Sequence, residues 1–193
     1  GALVFHAGAV AINRRAVGFM GATGFGKSTL VSSLCQRGYP LITDDCMALR
    51  ADGAEFQVYP GYPNVRLWED SAASVASGLP AAGPVAHYTE KLRIDLDASS
   101  FPFCDEPVPL DRIYVLSDPE TNSDKVSVSR LSGREAIMAM VEATFRLDIS
   151  DQAQNQRDFE AYVRLAERIP FYRLTYPRDY AMLDAVHAVI VDE

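Results

Sequence analysis

The sequence predicts an α/β fold in which helices pack around a mixed β-sheet. Strand-like apolar patterns dominate the N-terminal half, whereas strands and amphipathic helices alternate in the C-terminal half. An apolar strand pattern, a glycine-rich turn and a helical pattern also follow one another directly within residues 17–36. The chain has 193 residues, of which 48% are hydrophobic, so it suits a single domain over residues 1–193.

The N-terminal half is predicted to contain short strands and one long helix. The strand patterns lie at residues 3–5, 9–12, 17–20, 39–43, 47–49, 55–59 and 65–68. The long helix covers residues 28–36 and ends at Gly38, and a second helix covers residues 69–77. Residues 78–84 are rich in glycine, proline and alanine and show no periodicity, so they are predicted to form a loop.

The C-terminal half is predicted to alternate strands and helices. Strands are predicted at residues 92–96, 112–116, 125–130 and 171–176, with a loop at 99–109 and a polar turn at 117–124. A helix begins after Ser132, because Ser132 and Glu135 form a capping-box pattern, and it continues to residue 145. Another helix covers residues 152–168, and a last one covers 180–191. The apolar stripe of the 152–168 helix is predicted to be Phe159, Tyr162, Val163 and Ala166.

Residues 21–28, called here the glycine-rich loop, carry the sequence GATGFGKS and match the pattern G-x-x-x-x-G-K-[ST] at every position. Glycine allows positive φ, so successive N–H groups can converge on phosphate oxygens at the N-terminus of the following helix. In this pattern Lys27 reaches the β- and γ-phosphates, and the Ser28 hydroxyl binds Mg²⁺. The motif therefore predicts a site for a nucleoside triphosphate, formed by Gly21, Ala22, Thr23, Gly24, Phe25, Gly26, Lys27, Ser28 and Thr29.

Two adjacent carboxylates, Asp44 and Asp45, follow the predicted strand at residues 39–43. The carboxyl ends of strands in open α/β sheets meet at the ligand crevice, so this pair could hold a metal or accept a proton from an attacking hydroxyl. Neighbouring side chains in extended backbone point to opposite sides, so we expect one of the two to face the phosphates. The alternative is a solvated turn.

Composition limits the compartment and the partners. The net charge is −8 and no stretch concentrates lysine and arginine, which argues against nucleic acid as the partner. No apolar run approaches about 18 residues, so no membrane span is predicted. Three cysteines lack metal-type spacing, and we expect Cys35 and Cys46 to be core residues in a reducing cytoplasm. The chain begins abruptly within its first predicted strand, so we expect further sequence upstream.

Three features together resemble the catalytic domain of HPr kinase/phosphorylase and its relatives, which are bacterial protein-serine kinases with a phosphate loop. His6 lies 21 residues before Lys27, GATGFGKS forms the loop, and Arg37-Gly38-Tyr39 precedes the acidic pair, with Asp45 placed 18 residues after Lys27. The resemblance implies a mixed-sheet P-loop domain of the HPr kinase and phosphoenolpyruvate carboxykinase type.

The resemblance also implies roles for individual residues. Asp45 would take the proton from the substrate serine, His6 would lie beside the phosphates, and Lys27 would act on the β- and γ-phosphates. ATP and Mg²⁺ would be the cofactors, and the assembly would be a homo-oligomer, a hexamer in this family. The implied metal ligands are Ser28, Asp44 and Glu69.

The sequence departs from this family at Thr29, at residues 60–68 and in the family's dephosphorylation segment, which has no clear counterpart. Thr29 stands where the bifunctional enzymes have glutamate, and residues 60–68 replace their Arg-Gly-Leu-Gly segment. Arg66, Lys91 and Arg93 are candidates for neutralising charge on the transferred phosphoryl group. Three aromatic residues could stack on adenine: Tyr59, Tyr62 and Trp68. Core packing is the preferred interpretation for all three.

The sequence therefore predicts an ATP- and Mg²⁺-dependent kinase domain acting on a serine of a small protein or peptide. The acceptor could be an HPr-like carrier or a ribosomal peptide precursor. Two alternatives remain open, a small-molecule kinase of the same fold and a nucleotide-binding regulatory module without catalysis.

Overall fold

The computed structural model describes residues 2–76, 81–86, 89–95, 101–120, 124–145 and 151–192, and for residues 81–86, 89–91 and 95 it describes the backbone alone. Within these ranges the fold is mixed α/β, with a nine-stranded mixed sheet, a three-stranded antiparallel sheet and helices. None of the helices in this part of the chain combines the length and apolar character needed to cross a bilayer.

The strands follow one another in groups of three or four, separated by helices, until the last strand stands alone between the last two helices. The strands are β1 (Leu3–Phe5), β2 (Ala7–Ile12), β3 (Arg15–Met20), β4 (Leu41–Thr43), β5 (Met47–Asp52), β6 (Glu55–Tyr59), β7 (Asn64–Leu67), β8 (Ala81–Ala86), β9 (Thr89–Asp95), β10 (Val108–Leu116), β11 (Ser127–Arg130) and β12 (Phe171–Thr175). The helices are α1 (Lys27–Gln36), α2 (Glu69–Val75), α3 (Gly133–Ala143), α4 (Gln152–Arg168) and α5 (Leu183–Val191), with a 3₁₀ turn at Tyr180–Met182 before α5.

Strand β10 lies at the centre of the large sheet. It pairs in parallel with β3 on one side, and on the other side its first residues pair antiparallel with β6 while its last residues pair in parallel with β12. Strand β2 is antiparallel to both β3 and β4. Strands β3, β4, β10 and β12 therefore run in the same direction, and their carboxyl ends lie along one edge of the sheet.

The sheet separates two apolar cores, because alternate residues of each strand face opposite sides. In β3, Met20 belongs to the core beneath α3 and α4, whereas Phe19 belongs to the core beneath α1 and α5. Tyr162 of α4 and Leu30 of α1 are fully or almost fully buried in these two cores. The hairpin between β2 and β3 turns at Asn13 and Arg14, whose φ angles of 51° and 63° are those of a tight primed turn.

Most predicted elements are confirmed, with shifts of a few residues at their ends, and strand β6 and helix α4 have the predicted bounds. The loop predicted at residues 78–84 is wrong for residues 81–84, which belong to β8, and residues 78–80 lie outside the described residues. Strand β8 forms because it pairs with β9 at the edge of the small sheet, where a proline such as Pro84 is tolerated. Similarly, β10 begins at Val108, inside the loop predicted at residues 99–109.

The burial predictions for Phe159 and Cys46 are wrong, and the prediction for Cys35 is confirmed. Phe159 is 52% exposed, because α4 buries the face that contains Tyr162. Cys46 is exposed, because it lies in the bend between β4 and β5 and not within a strand. Cys35 is buried in α1 as predicted, and burial together with the charge of Asp44 raises the pKa of its thiol to about 12.

Helix α5 is attached to the rest of the fold by two buried polar contacts. Arg112 of β10 donates from Nη2 to the carbonyl oxygen of Ile190 at 2.7 Å. On α1, the Ser33 hydroxyl donates to the carbonyl oxygen of Leu30, so the 2.7 Å contact between Ser33 Oγ and His187 Nε2 requires the proton to lie on Nε2. His187 therefore links α5 to α1 through its Nε2 proton.

The state of His187 makes the stability of the fold depend on pH. Burial, followed by the charge of Arg37, lowers the pKa of His187 from 6.5 to about 4, while Asp184 opposes the shift. Between these two values the unfolded chain binds a proton that the folded chain excludes, so stability falls as the pH falls from 6.5 towards 4. We expect the urea unfolding midpoint to drop less between pH 7 and pH 5 in His187→Gln than in the wild type. Equal drops in the two proteins would contradict this account.

Candidate functional site

Strand register brings three separate parts of the sequence to one edge of the large sheet. In the β2–β3 hairpin Ala7 pairs with Met20, so His6 and Gly21, one residue further out, are neighbours across the sheet. In the β2–β4 pair Ala9 is opposite Thr43, so the acidic pair after β4 reaches the same edge. His6, the glycine-rich loop and the acidic pair therefore converge because of strand pairing.

The glycine-rich loop wraps around the N-terminus of α1. Gly24 and Gly26 have φ angles of 87° and 85°, in the left-handed region that favours glycine, and Gly26 is the N-cap residue of the helix. Lys27 is 5% exposed, and its Nζ donates to the carbonyl oxygens of Gly21 at 2.8 Å and Ala22 at 3.1 Å. The loop is thus curved over the lysine, with its backbone at the positive end of the helix dipole.

The two carboxylates of the acidic pair have different surroundings, as predicted for extended backbone. Asp44 is 4% exposed, and its Oδ2 accepts the backbone N–H of Arg66 at 2.8 Å. The Asp45 side chain is 42% exposed, with Arg66 Nη1 at 2.7 Å from its Oδ2 and His6 Nε2 at 3.2 Å from its Oδ1. Asp45 is therefore the carboxylate that faces outward, and a cation and an imidazole fix its orientation.

A cavity of about 340 Å³ lies between the glycine-rich loop and Asp45. Its walls come from the loop, the start of α1, the end of β7, the start of α2 and the segments that follow β10 and β12. The predicted site residues that line it are His6, Thr23, Gly24, Gly26, Lys27, Ser28, Thr29 and Asp45. Gly21, Ala22 and Phe25 belong to the loop but are not among the lining residues.

The structure does not bring every predicted metal ligand to this cavity. Ser28 lines it, Asp44 lies buried behind it, and Glu69 is exposed in a neighbouring groove, whereas the next residue, Asp70, does line the cavity. No cluster of three or more histidine, cysteine, aspartate or glutamate side chains with metal-binding geometry occurs within the described residues.

Of the three candidate cations, Arg66 lines the cavity and Arg93 is exposed outside it. The side chain of Lys91 lies outside the described residues. The preference for core packing of Trp68 and Tyr62 is wrong, because their exposed fractions are 44% and 83%. Strand β7 directs its apolar side chains inward at alternate positions, and Trp68 follows the end of that strand at the cavity wall.

Sequence reasoning did not identify the residues that follow β12. Tyr176, Arg178 and Tyr180 all line the cavity, because β12 runs parallel to β10 and ends at the same edge of the sheet. Arg178 donates from Nη2 to the carbonyl oxygen of Ser117 at 2.8 Å, and its guanidinium lies 4.4 Å from the centre of the Tyr176 ring. The available signal was the position of Tyr176-Pro177-Arg178 immediately after the last predicted strand.

A chain of hydroxyl groups closes the side of the cavity near α2. Thr29 donates to Ser71 at 3.1 Å, Ser71 lies 3.2 Å from the hydroxyl of Tyr180, and Tyr180 donates to Asp70 at 3.1 Å. Each hydroxyl can donate once along this chain, so the start of α1, helix α2 and the segment before α5 are connected. The tyrosine hydroxyl thereby keeps the Asp70 carboxylate oriented at the cavity wall.

Comparisons with known proteins give a likeness in structure and none in sequence. No protein-family model matches the chain, and no curated protein sequence matches it. The solved structure of an HPr(Ser) kinase/phosphatase from Coxiella burnetii aligns with 98% of this chain and 99% of its own chain, with 13% sequence identity and a TM-score of 0.47. A likeness at this level assigns no function to this chain.

Two glycine substitutions test how the glycine-rich loop is packed. Gly24→Ala and Gly26→Ala each place alanine in the left-handed region, which costs about 1 kcal/mol. A Cβ on Gly26 would lie 2.9 Å from Nη1 of Arg178, whereas a Cβ on Gly24 meets no atom within 4 Å. We expect Gly26→Ala to lose up to about 1 kcal/mol more stability in urea unfolding, because the guanidinium must move and its hydrogen bond to Ser117 is weakened.

An Arg178→Ala background provides the control for this measurement. There the extra cost of Gly26→Ala over Gly24→Ala should disappear, because the displaced group is gone. An extra cost that persists without Arg178 would show that the loop backbone alone causes the difference.

Proposed function

We propose that this chain is a kinase that transfers the γ-phosphoryl group of ATP to a serine hydroxyl of a small protein or peptide. The observation that carries the proposal is one cavity that holds a glycine-rich loop at a helix N-terminus and, opposite it, the oriented carboxylate of Asp45. The loop is suited to binding phosphates, and the Asp45 carboxylate is suited to accepting a proton from a hydroxyl. One cavity therefore offers the groups needed at both ends of a phosphoryl transfer.

The nucleotide half is built from the loop and α1. Backbone N–H groups of residues 21–28 would cradle the phosphates, and the helix dipole together with Lys27 would offset their negative charge. The space beside Gly24 is open, since even an added Cβ would meet no atom within 4 Å, so phosphates can approach its backbone closely. Lys27 is held beneath the loop by the carbonyl oxygens of Gly21 and Ala22, which places its charge at the floor of the cavity.

The oxygen donors of the cavity suit Mg²⁺, which binds one or two protein oxygens and completes its shell with phosphates and water. The Ser28 hydroxyl and the Asp70 carboxylate line the cavity, so the donor set fits such a partly hydrated ion. Ser28 would hold the ion, with a carboxylate in support. When bound, Mg²⁺ supplies positive charge to the β- and γ-phosphates.

The acceptor half is Asp45 with its two partners. The carboxylate would accept the proton as the serine oxygen attacks the γ-phosphorus, the bond from that phosphorus to the β-phosphate oxygen breaks, and ADP leaves. Arg66 would hold one carboxylate oxygen by its 2.7 Å contact, and His6 would orient the other at 3.2 Å. Both contacts leave the carboxylate partly exposed, so a hydroxyl can reach it from outside.

The exposure of this half favours a polypeptide acceptor over a small molecule. The side chains of Arg66 and Asp45 are 43% and 42% exposed, so the acceptor side opens to solvent and does not form a closed apolar pocket. Tyr62 and Trp68 flank Arg66 in the sequence and are exposed, and they lie in the segment that departs from the HPr kinase pattern. We propose that this segment, residues 60–68, selects the acceptor.

Replacing the carboxylate tests the proposed base. Asp45→Asn should lower phosphoryl transfer by about 100-fold or more, because an amide cannot accept the serine proton. The affinity for MgATP should stay within a few-fold, because the glycine-rich loop is unchanged. Transfer is measured with labelled ATP on HPr-like carriers and serine-containing ribosomal peptide precursors, and affinity is measured by calorimetry.

Asp52→Asn is the matched control, since Asp52 is an exposed carboxylate at the β5–β6 turn. The activity of this variant should equal that of the wild type. Transfer that survives in Asp45→Asn would remove Asp45 as the base. Nucleotide binding without transfer to any acceptor would favour the regulatory module.

A further inference from the structure

We infer that Arg178 is a second cationic ligand of the nucleotide, which binds the phosphates that remain in ADP. This inference rests on the proposed kinase function and extends it to a residue outside the glycine-rich loop and the acidic pair. The loop motif by itself provides one cation, Lys27, which lies at the floor of the cavity. Arg178 is carried by the segment after β12 and would contact the same phosphates from beside the loop.

The position of Arg178 supports this role. Its Nη1 lies 2.9 Å from the point that a Cβ on Gly26 would occupy, so the guanidinium lies directly against the last glycine of the loop. Gly26 is the N-cap of α1, where unpaired backbone N–H groups and the helix dipole attract anions. An anion bound to those N–H groups would therefore also lie within reach of Arg178.

The contacts of Arg178 hold the guanidinium in place without cancelling its charge. Its partners are the carbonyl oxygen of Ser117 at 2.8 Å and the face of the Tyr176 ring. Within the described part of the chain Arg178 forms no ion pair, whereas Arg66 is paired with Asp45. The carboxylate of Asp179, next in the sequence, instead accepts a backbone N–H at 2.9 Å, where it caps the 3₁₀ turn.

This arrangement separates the tasks of the two cavity arginines. Arg66 orients the carboxylate on the acceptor side, and Arg178 lies on the loop, whose N–H groups cradle the α- and β-phosphates. A ligand of those phosphates binds ADP as well as ATP, because they stay on the nucleotide after transfer. A planar guanidinium can bridge two phosphate oxygens at once, which suits arginine better than lysine for this contact.

The test compares wild type, Arg178→Gln and Arg178→Lys by calorimetry with MgADP, MgATP and magnesium pyrophosphate. Arg178→Gln should lower the affinities for MgADP and MgATP by similar factors, about tenfold or more, because a charge-assisted contact to phosphate is lost. Arg178→Lys should recover part of this loss, because it keeps the charge. The affinity for magnesium pyrophosphate should also fall in Arg178→Gln. This ligand has no nucleoside, so it binds through its phosphates alone.

Arg50→Gln is the matched control, because the Arg50 guanidinium also stacks on a tyrosine ring but lies outside the cavity. It is 5.1 Å from the centre of the Tyr59 ring. This variant should bind all three ligands as the wild type does. Urea unfolding of each variant distinguishes phosphate binding from a purely structural role of Arg178. With a purely structural role, both Arg178 variants would lose affinity in parallel with stability, and lysine would not restore binding.

The outcomes distinguish this inference from the proposed function. A wild-type chain that binds neither nucleotide would defeat the proposed function. A wild-type chain that binds both, with Arg178→Gln binding them equally well, would overturn the role of Arg178. A loss confined to MgATP would place the contact on the γ-phosphate and also overturn the inference.

Discussion

The pairing register of β2 with its two antiparallel neighbours is the constraint on which the candidate site depends. Because β2 lies between β3 and β4, its first residues are beside the ends of both strands. His6, the glycine-rich loop and Asp45 are thereby assembled from sequence positions far apart. A shift of one residue in either pairing would turn alternate side chains to the other face and separate these groups. The buried residues of β2 and β3 keep that register, since each face has its own core.

The charges of the cavity are arranged for orientation more than for stability. Ion pairs between partly exposed side chains contribute about 0–1 kcal/mol, so the contacts of Asp45 with His6 and Arg66 add little to folding. They do fix both carboxylate oxygens at the wall that faces the loop. Lys27 and Arg178 both contact the glycine-rich loop, so a chain with a net charge of −8 still places two cations beside this loop.

The sequence predicted the local features of the site well. The strand, loop and helix over residues 15–36 form as their pattern indicates, because glycine and the helix N-terminus act over short distances. The difference between Asp44 and Asp45 also follows from local alternation. Strand β8 could not be predicted in the same way, because its pairing with β9 and not its composition makes it a strand. Trp68 and Phe159 were misplaced for a related reason, since apolar character alone does not say which face an element buries.

By itself, the sequence determined the α/β class, the glycine-rich loop and the acidic pair after the fourth strand, because these depend on residue type and short spacing. The tertiary structure decided which distant groups join them. It brought Arg66 to Asp45, placed Asp70 and not Glu69 at the cavity, and set Arg178 against Gly26. The physical reason is that parallel strands align their carboxyl ends whatever their separation in the chain, so only the order of strands in the sheet reveals that β12 ends at the same edge as β3.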